Sequence, residues 1–269
     1  MAGRLGSLSV PLLAALLAVV LAASAQAATA ARWVGTFDQF PASAWADRWG
    51  LAAEGAWGFD NDMAATGGTL DVTYRAGSSA RSCTNCPATG GGEFYTLFAQ
   101  LGHPDWTTAP VLDLKYSLKF PAGFDFGHGG KLPGLFGGKI GEESGGNHGQ
   151  GWSTRYMWRT SGGAAKGEVY FYSPTGSGFG KDLGLGKWKF AADARWHSVE
   201  QQVNRQKQTV TIWYDGRQVF TTKVTGISGI AFSGVFFSTF FGGHDTSWGP
   251  KRTVHAYFAD FSVSTAPQH

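Results

Sequence analysis

From Leu112 to Phe120 the chain alternates without a break. Leu112, Leu114, Tyr116, Leu118 and Phe120 are apolar, and Asp113, Lys115, Ser117 and Lys119 between them are polar. Only an extended strand sends successive side chains to opposite faces, so this pattern demands a sheet with one buried face. Other segments make the same demand. Gln208–Tyr214 and Gln218–Val224 flank Asp215-Gly216, the dipeptide of a two-residue hairpin turn. Thr69–Tyr74, Glu93–Ala99, Val235–Phe241 and Val254–Val263 read as further strands, and after the N-terminal segment no stretch of more than ten residues has a strong helical period. Forty glycines and 14% aromatic residues fit wide strands joined by turns. The expected fold is all-β: an antiparallel β-jelly roll, a sandwich of the concanavalin A-like kind.

The N-terminus does not belong to that fold. Arg4 gives a short positive start, Val10–Ala23 is an apolar run, and Ala25-Gln26-Ala27 is a small-x-small cleavage site. Residues 1–27 therefore read as a secretory signal peptide, leaving 28–269 as a single exported domain. The apolar run is short for a membrane span, and none follows it, so no membrane partner is expected. A net charge of +3 without a Lys/Arg cluster gives no argument for nucleic acid. On oligomeric state the sequence is silent. Cys83 and Cys86, spaced Cys-x-x-Cys, favour a local disulfide in an exported chain. A zinc site would need two more ligands at a recognisable spacing, and a redox role would want a helix where Pro87–Gly92 reads as loop.

Phe124–Gly151 has a different character. It is glycine-rich and weakly periodic, which reads as a long irregular functional loop. Within it Gly129–Gly138 holds a single cation, Lys131. Two short strands follow. In Ser153–Arg159, Ser153, Arg155, Met157 and Arg159 share one face, and Thr154, Tyr156 and Trp158 the better core face. In Glu168–Ser173, Tyr170 and Tyr172 share a face opposite Val169 and Phe171. If the two strands pair across the short Ser161–Gly167 connection, Ser153, Arg155, Tyr170 and Tyr172 come together on one outward surface near Lys131. That inference hangs on the pairing register.

Lys131-Leu132-Pro133-Gly134-Leu135, then Ser153-x-Arg155, then Tyr170-x-Tyr172, resembles the family 14 polysaccharide lyases, which include alginate lyases. The chain is also similar to the related family 20 glucuronan lyases. The likeness extends through Leu70–Tyr74, Glu93-Phe94-Tyr95, Phe124-Asp125-Phe126, Tyr156–Arg159 and Phe240–Asp245. It implies a jelly roll with a concave cleft, β-elimination on an anionic uronic-acid polymer, and no cofactor or obligatory metal. It also implies that Lys131, Arg155, Tyr170 and Tyr172 are catalytic and that Ser153 positions substrate. His128 and His148 flank the motif and are candidates for substrate contact. Where the resemblance implies an amide before Phe-Tyr, this chain has Glu93. A carboxylate there would repel an anion, so either Glu93 turns away or the preferred substrate differs.

The chemistry accounts for these residue types. Removing the C5 proton of a uronate builds negative charge beside a carboxylate, which a cation must stabilise. A base takes that proton and an acid protonates the departing O4. Lys131 or Arg155 would neutralise the carboxylate, and one of Tyr170 and Tyr172 would act as base or acid. A tyrosine base needs its pKa lowered from about 10, which neighbouring cations favour. A lysine base is equally open if burial lowers its pKa. Two other classes compete. A glycoside hydrolase of the same sandwich class needs two carboxylates across the bond, and no strand carries such a pair at i and i+2. A non-catalytic carbohydrate-binding module would use some of the eleven tryptophans as platforms, with a calcium site at Asp60-Asn61-Asp62.

Overall fold

A computed structural model describes residues 30–87, 89–144, 149–175 and 178–269, and nearly all its regular structure is strand. The expected signal peptide and His148 lie outside the described residues. The strands are β1 (Arg32–Gly35), β2 (Met63–Thr66), β3 (Thr69–Tyr74), β4 (Gly92–Leu97), β5 (Val111–Lys119), β6 (Gly129–Leu132), β7 (Gly134–Gly138), β8 (Gly151–Ser161), β9 (Ala164–Tyr172), β10 (Lys181–Leu183), β11 (Lys189–Phe190), β12 (His197–Asn204), β13 (Thr209–Tyr214), β14 (Arg217–Lys223), β15 (Phe232–Thr239) and β16 (Val254–Ser264). One short helix, α1 (Ser43–Arg48), follows β1. Among the described residues no helix is long and apolar enough to cross a membrane.

The strands form two antiparallel sheets packed as a jelly-roll sandwich. One runs β14-β13-β12-β5-β16-β3-β2, with β1 beside β16; the other runs β10-β9-β8-β7-β15-β4, with β11 beside β9 and β6 beside β8. The apolar face of β5 turns inward as its alternation requires: Leu112, Leu114, Tyr116 and Leu118 are buried. They face Tyr156, Trp158, Val169, Phe171 and Phe237 of the second sheet, all in one apolar core. Phe237 stacks on Phe94 at 4.4 Å, and Tyr116 on Phe261 at 4.6 Å. The Asp215-Gly216 hairpin forms as read, with φ of 51° and 71°.

Two expectations are corrected. Gly129–Gly138 is not an irregular loop but two strands, β6 and β7, broken at Pro133. Its glycines serve close approach: a Cβ on Gly134 would lie 2.4 Å from the Thr154 carbonyl, and one on Gly130 2.2 Å from the Trp158 ring. The connection between β8 and β9 is also shorter than expected, a two-residue turn at Gly162-Gly163 with φ of 60° and 75°.

Polar struts tie the layers together. Gln201 of β12 lies in the core between the sheets and is fully buried. Its amide donates to the Thr154 carbonyl (3.1 Å), and its oxygen accepts from the Thr154 hydroxyl and the Leu135 N–H. Tyr116 donates to the Pro133 carbonyl at 3.1 Å. Both struts end where β6, β7 and β8 meet. Gln201→Leu keeps the volume but leaves buried polar groups of β8 unpaired, which costs about 1–3 kcal/mol. We expect a lower urea midpoint with an unchanged m-value; an unchanged midpoint would show the strut to be dispensable.

Candidate active site

The outer face of the second sheet carries the expected polar side chains. β8 and β9 pair in the register the alternation required, Ser153 opposite Tyr172, Arg155 opposite Tyr170, and Met157 opposite Glu168. β6 lies on the other side of β8, with Lys131 opposite Met157. Lys131, Arg155, Tyr170 and Tyr172 open onto a cleft of about 470 Å³ that Glu93 and Arg159 also line, with Met157, Phe240, His244 and Trp248 among the surrounding walls.

Lys131 is held from its backbone, whose N–H donates to the Phe240 carbonyl (2.8 Å). Its ammonium stands 3.9 Å from the centre of the Tyr170 ring and 5.6 Å from that of Tyr172, so ring faces take the place of water around it. Among the described residues Nζ has no carboxylate within ion-pair distance. Burial pushes its pKa well below the ordinary lysine value, and Arg155 and Arg159 push the same way; Glu168 and Glu93 oppose them. Tyr170 moves oppositely to the expected lowering. Burial raises its hydroxyl to about 12, helped by Tyr172 and opposed by Arg159. Burial thus disfavours the charged form of both groups, the ammonium of Lys131 and the phenolate of Tyr170.

Arg155 is buried, with its guanidinium 4.3 Å from the Phe236 ring centre and 5.5 Å from that of Tyr172. Nη1 donates to the Ser238 hydroxyl (2.9 Å), which donates onward to the Glu93 carboxylate (2.7 Å). Glu93 thus does not turn away. It lines the cleft, and burial raises its pKa while Arg155, Ser238 and Trp57 hold it down. Arg159 is committed to Glu168 and Asp182, both at 2.9 Å. Burial raises Glu168 to about 7 against the pull of Arg159.

Not every expected residue reaches the cleft. Ser153 is fully buried, and its hydroxyl donates to the Glu143 carbonyl (2.8 Å), so it fastens the loop that carries the cleft residue Ser144. His128 lines a neighbouring hollow with Asp125 and Lys251 and meets the cleft wall at Trp248, through ring contact (5.8 Å) and a backbone hydrogen bond to the Trp248 carbonyl (3.2 Å). Ser238, Phe240, His244 and Trp248 enter without having been singled out as site residues. Cys83 and Cys86 are bonded, with Cα atoms 5.6 Å apart. Asp62 is spent on Arg75 at 2.8 Å rather than left free for a cation.

The sequence model described as polysaccharide lyase 14 matches residues 62–261. The chain belongs to polysaccharide lyase family 14. The fold of this lyase is similar to that of the marine PL-14 alginate lyase from Aplysia kurodai, with 29% identity, 78% of this chain and 89% of that one covered, and a TM-score of 0.63. It is also similar in fold to the alginate lyase vAL-1 from a Chlorella virus (20% identity, 81% and 93% covered, TM-score 0.60) and to the alginate lyase Aly36B (19%, 86% and 96%, 0.65). A search of curated proteins finds no match.

The buried lysine of this lyase has a measurable consequence. An unfolded lysine titrates near 10.4. Below that pH the unfolded chain takes a proton that the folded one resists, so Lys131 costs stability increasingly as pH falls from about 10 toward neutral. Lys131→Met should therefore melt higher than the parent at pH 7, with the gap closing toward pH 10. A gap that stays constant with pH would mean that Lys131 is charged in the fold.

Proposed function

We propose that the protein is an exported alginate lyase that cleaves by β-elimination without a metal. The reading is carried by one observation: Lys131 is buried against the face of Tyr170, beside the Arg155 guanidinium, where burial lowers the lysine pKa and raises that of the phenol. Alginate is preferred over glucuronan because the family 14 relative from Aplysia kurodai, over most of its length, is described as an alginate lyase. Export rests on the sequence of residues 1–27.

Arg155 takes the uronate carboxylate and stabilises the charge that develops when C5 loses its proton. Its Nε has no acceptor among the described residues, so donor capacity remains. The Lys131 amine accepts the C5 proton, the electron pair forms the C4–C5 double bond, and the C4–O4 bond breaks. A tyrosine of the Tyr170/Tyr172 pair protonates the departing O4. Tyr170, protonated up to about 12, suits a donor and not a base. A hydrolase would need two carboxylates across the bond; among the described lining residues Glu93 is the one carboxylate, and it is bonded to Ser238.

Purified protein incubated with alginate, glucuronan and a neutral β-glucan should raise the ultraviolet absorbance of unsaturated uronate ends on alginate. Reducing ends without that absorbance would mean hydrolysis, binding without either would mean a carbohydrate-binding module, and activity on glucuronan alone would move the substrate. Lys131→Ala should lose about 10²–10⁴ in kcat, and so should Phe at whichever tyrosine supplies the acid. Full activity in Lys131→Ala, or in both Tyr170→Phe and Tyr172→Phe, would overturn the assignment. The parent kcat/KM should climb as pH rises through the lowered Lys131 pKa.

A further inference from the structure

The cleft continues past Glu93. A second hollow of about 440 Å³ is lined by Trp57, Ala80, Arg81, Ser82, Glu93 and Phe240, and it shares Ala80, Ser82, Glu93 and Phe240 with the cleft. β4 is the last strand of its sheet on this side, but Trp57 extends it by one bridge, trading backbone hydrogen bonds with Glu93 at 2.9 and 3.0 Å. Its half-buried indole stands 6.1 Å from the Phe240 ring, so the backbone that carries it is fixed and one aromatic surface runs from the cleft into the hollow.

Arg81 is the cation of this hollow. It is exposed, and among the described residues it has no hydrogen-bond or ion-pair partner. The backbone beneath it is well anchored: the buried Ser79 hydroxyl donates to the Gly242 carbonyl (2.6 Å), Ser82 meets the His244 ring (3.3 Å), and the Cys83–Cys86 disulfide follows. Charge distinguishes Arg81 from the other arginines here. Arg159 is held by two carboxylates, and Arg155 reaches Glu93 through Ser238. A polyuronate carries one carboxylate per sugar, so an uncommitted cation beyond the cleft can recognise a further residue.

We propose that this hollow is an additional sugar subsite, binding the uronate next along the polymer beyond the residues held over Lys131 and Arg155. Its carboxylate pairs with Arg81 as a charge-assisted fork, and its ring lies against Trp57. Glu93, at the junction, accepts from a sugar hydroxyl. The subsite rests on the reading of the protein as a uronan lyase, and it confers length dependence: oligomers that reach it bind more tightly than those that stop at the cleft.

KM and kcat measured on alginate oligomers of increasing length test it in the full protein, alongside Arg81→Ala, Arg81→Lys and Arg81→Glu. Arg81 is exposed, so these variants should fold; matching melting temperatures check that. The parent KM should fall at one chain length. Arg81→Glu should raise KM about tenfold, the worth of one charge-assisted pair, only on oligomers at or beyond that length, and Arg81→Lys should recover most of the loss. An equal rise at every length, or no rise, would overturn the subsite alone. Failure of the parent to bind or cleave any uronan would overturn the subsite and the lyase reading together.

Discussion

The outer surface of the second sheet depends on a contact hidden inside the sandwich. Gln201 crosses from β12 and grips both the hydroxyl and the carbonyl of Thr154, the residue between Ser153 and Arg155. A strand presents alternate residues to opposite faces, so a slip of one residue would send Arg155 into the core and Thr154 into the cleft. Apolar packing of Tyr156 and Trp158 opposes such a slip but tolerates small sliding. A directional hydrogen bond to one carbonyl does not. Net gain from a buried amide is small, whereas leaving its partners unpaired is expensive. Such a strut therefore contributes more to uniqueness of register than to total stability, a role best attested for buried polar groups that fix alignment.

Above that floor the sheet carries charges that water would otherwise solvate. Lys131, Arg155, Glu93 and Glu168 are all buried or nearly so. The costs are met unequally. Arg155 has Ser238 and Glu93, Glu168 has Arg159, and Lys131 has aromatic faces alone among the described residues. The group with no carboxylate within ion-pair distance is the one that can discard its charge, which would make it the base of the proposed mechanism. Burial raises the phenol beside it for the same reason, since in both cases the low-dielectric site disfavours the ionised form. In the proposed mechanism one environment would thus separate an acceptor from a donor without any residue dedicated to tuning either.

Much of this was legible in the sequence, and the failures share a cause. The β5 alternation, the Asp215-Gly216 hairpin and the faces of β8 and β9 are local patterns, and each was found as read. Gly129–Gly138 was misread because glycine signals both freedom and proximity. Here it lets β6 and β7 press against Trp158 and Thr154, a tertiary need that composition cannot distinguish from a turn. Ser153 has the right face but lies beneath the Glu143 loop, and nothing in its neighbours announces that cover. Ser238 and Trp57 were invisible because their importance comes from β15 lying between β7 and β4. Sheet order is a property of the whole fold.

Glu93 remains the residue that a polyanion site would least be expected to contain, and its surroundings explain how the site tolerates it. In the free protein it balances Arg155 through the Ser238 hydroxyl, so neither buried charge stands alone. A uronate carboxylate reaching Arg155 would bring a second negative charge near the first. Burial already holds the Glu93 pKa above the ordinary carboxylate range, and an approaching like charge raises it further. Both effects favour proton uptake by Glu93 as the substrate arrives, which would weaken the repulsion and leave Arg155 to the substrate. A glutamine at the same place would carry no charge to set against Arg155 in the empty cleft.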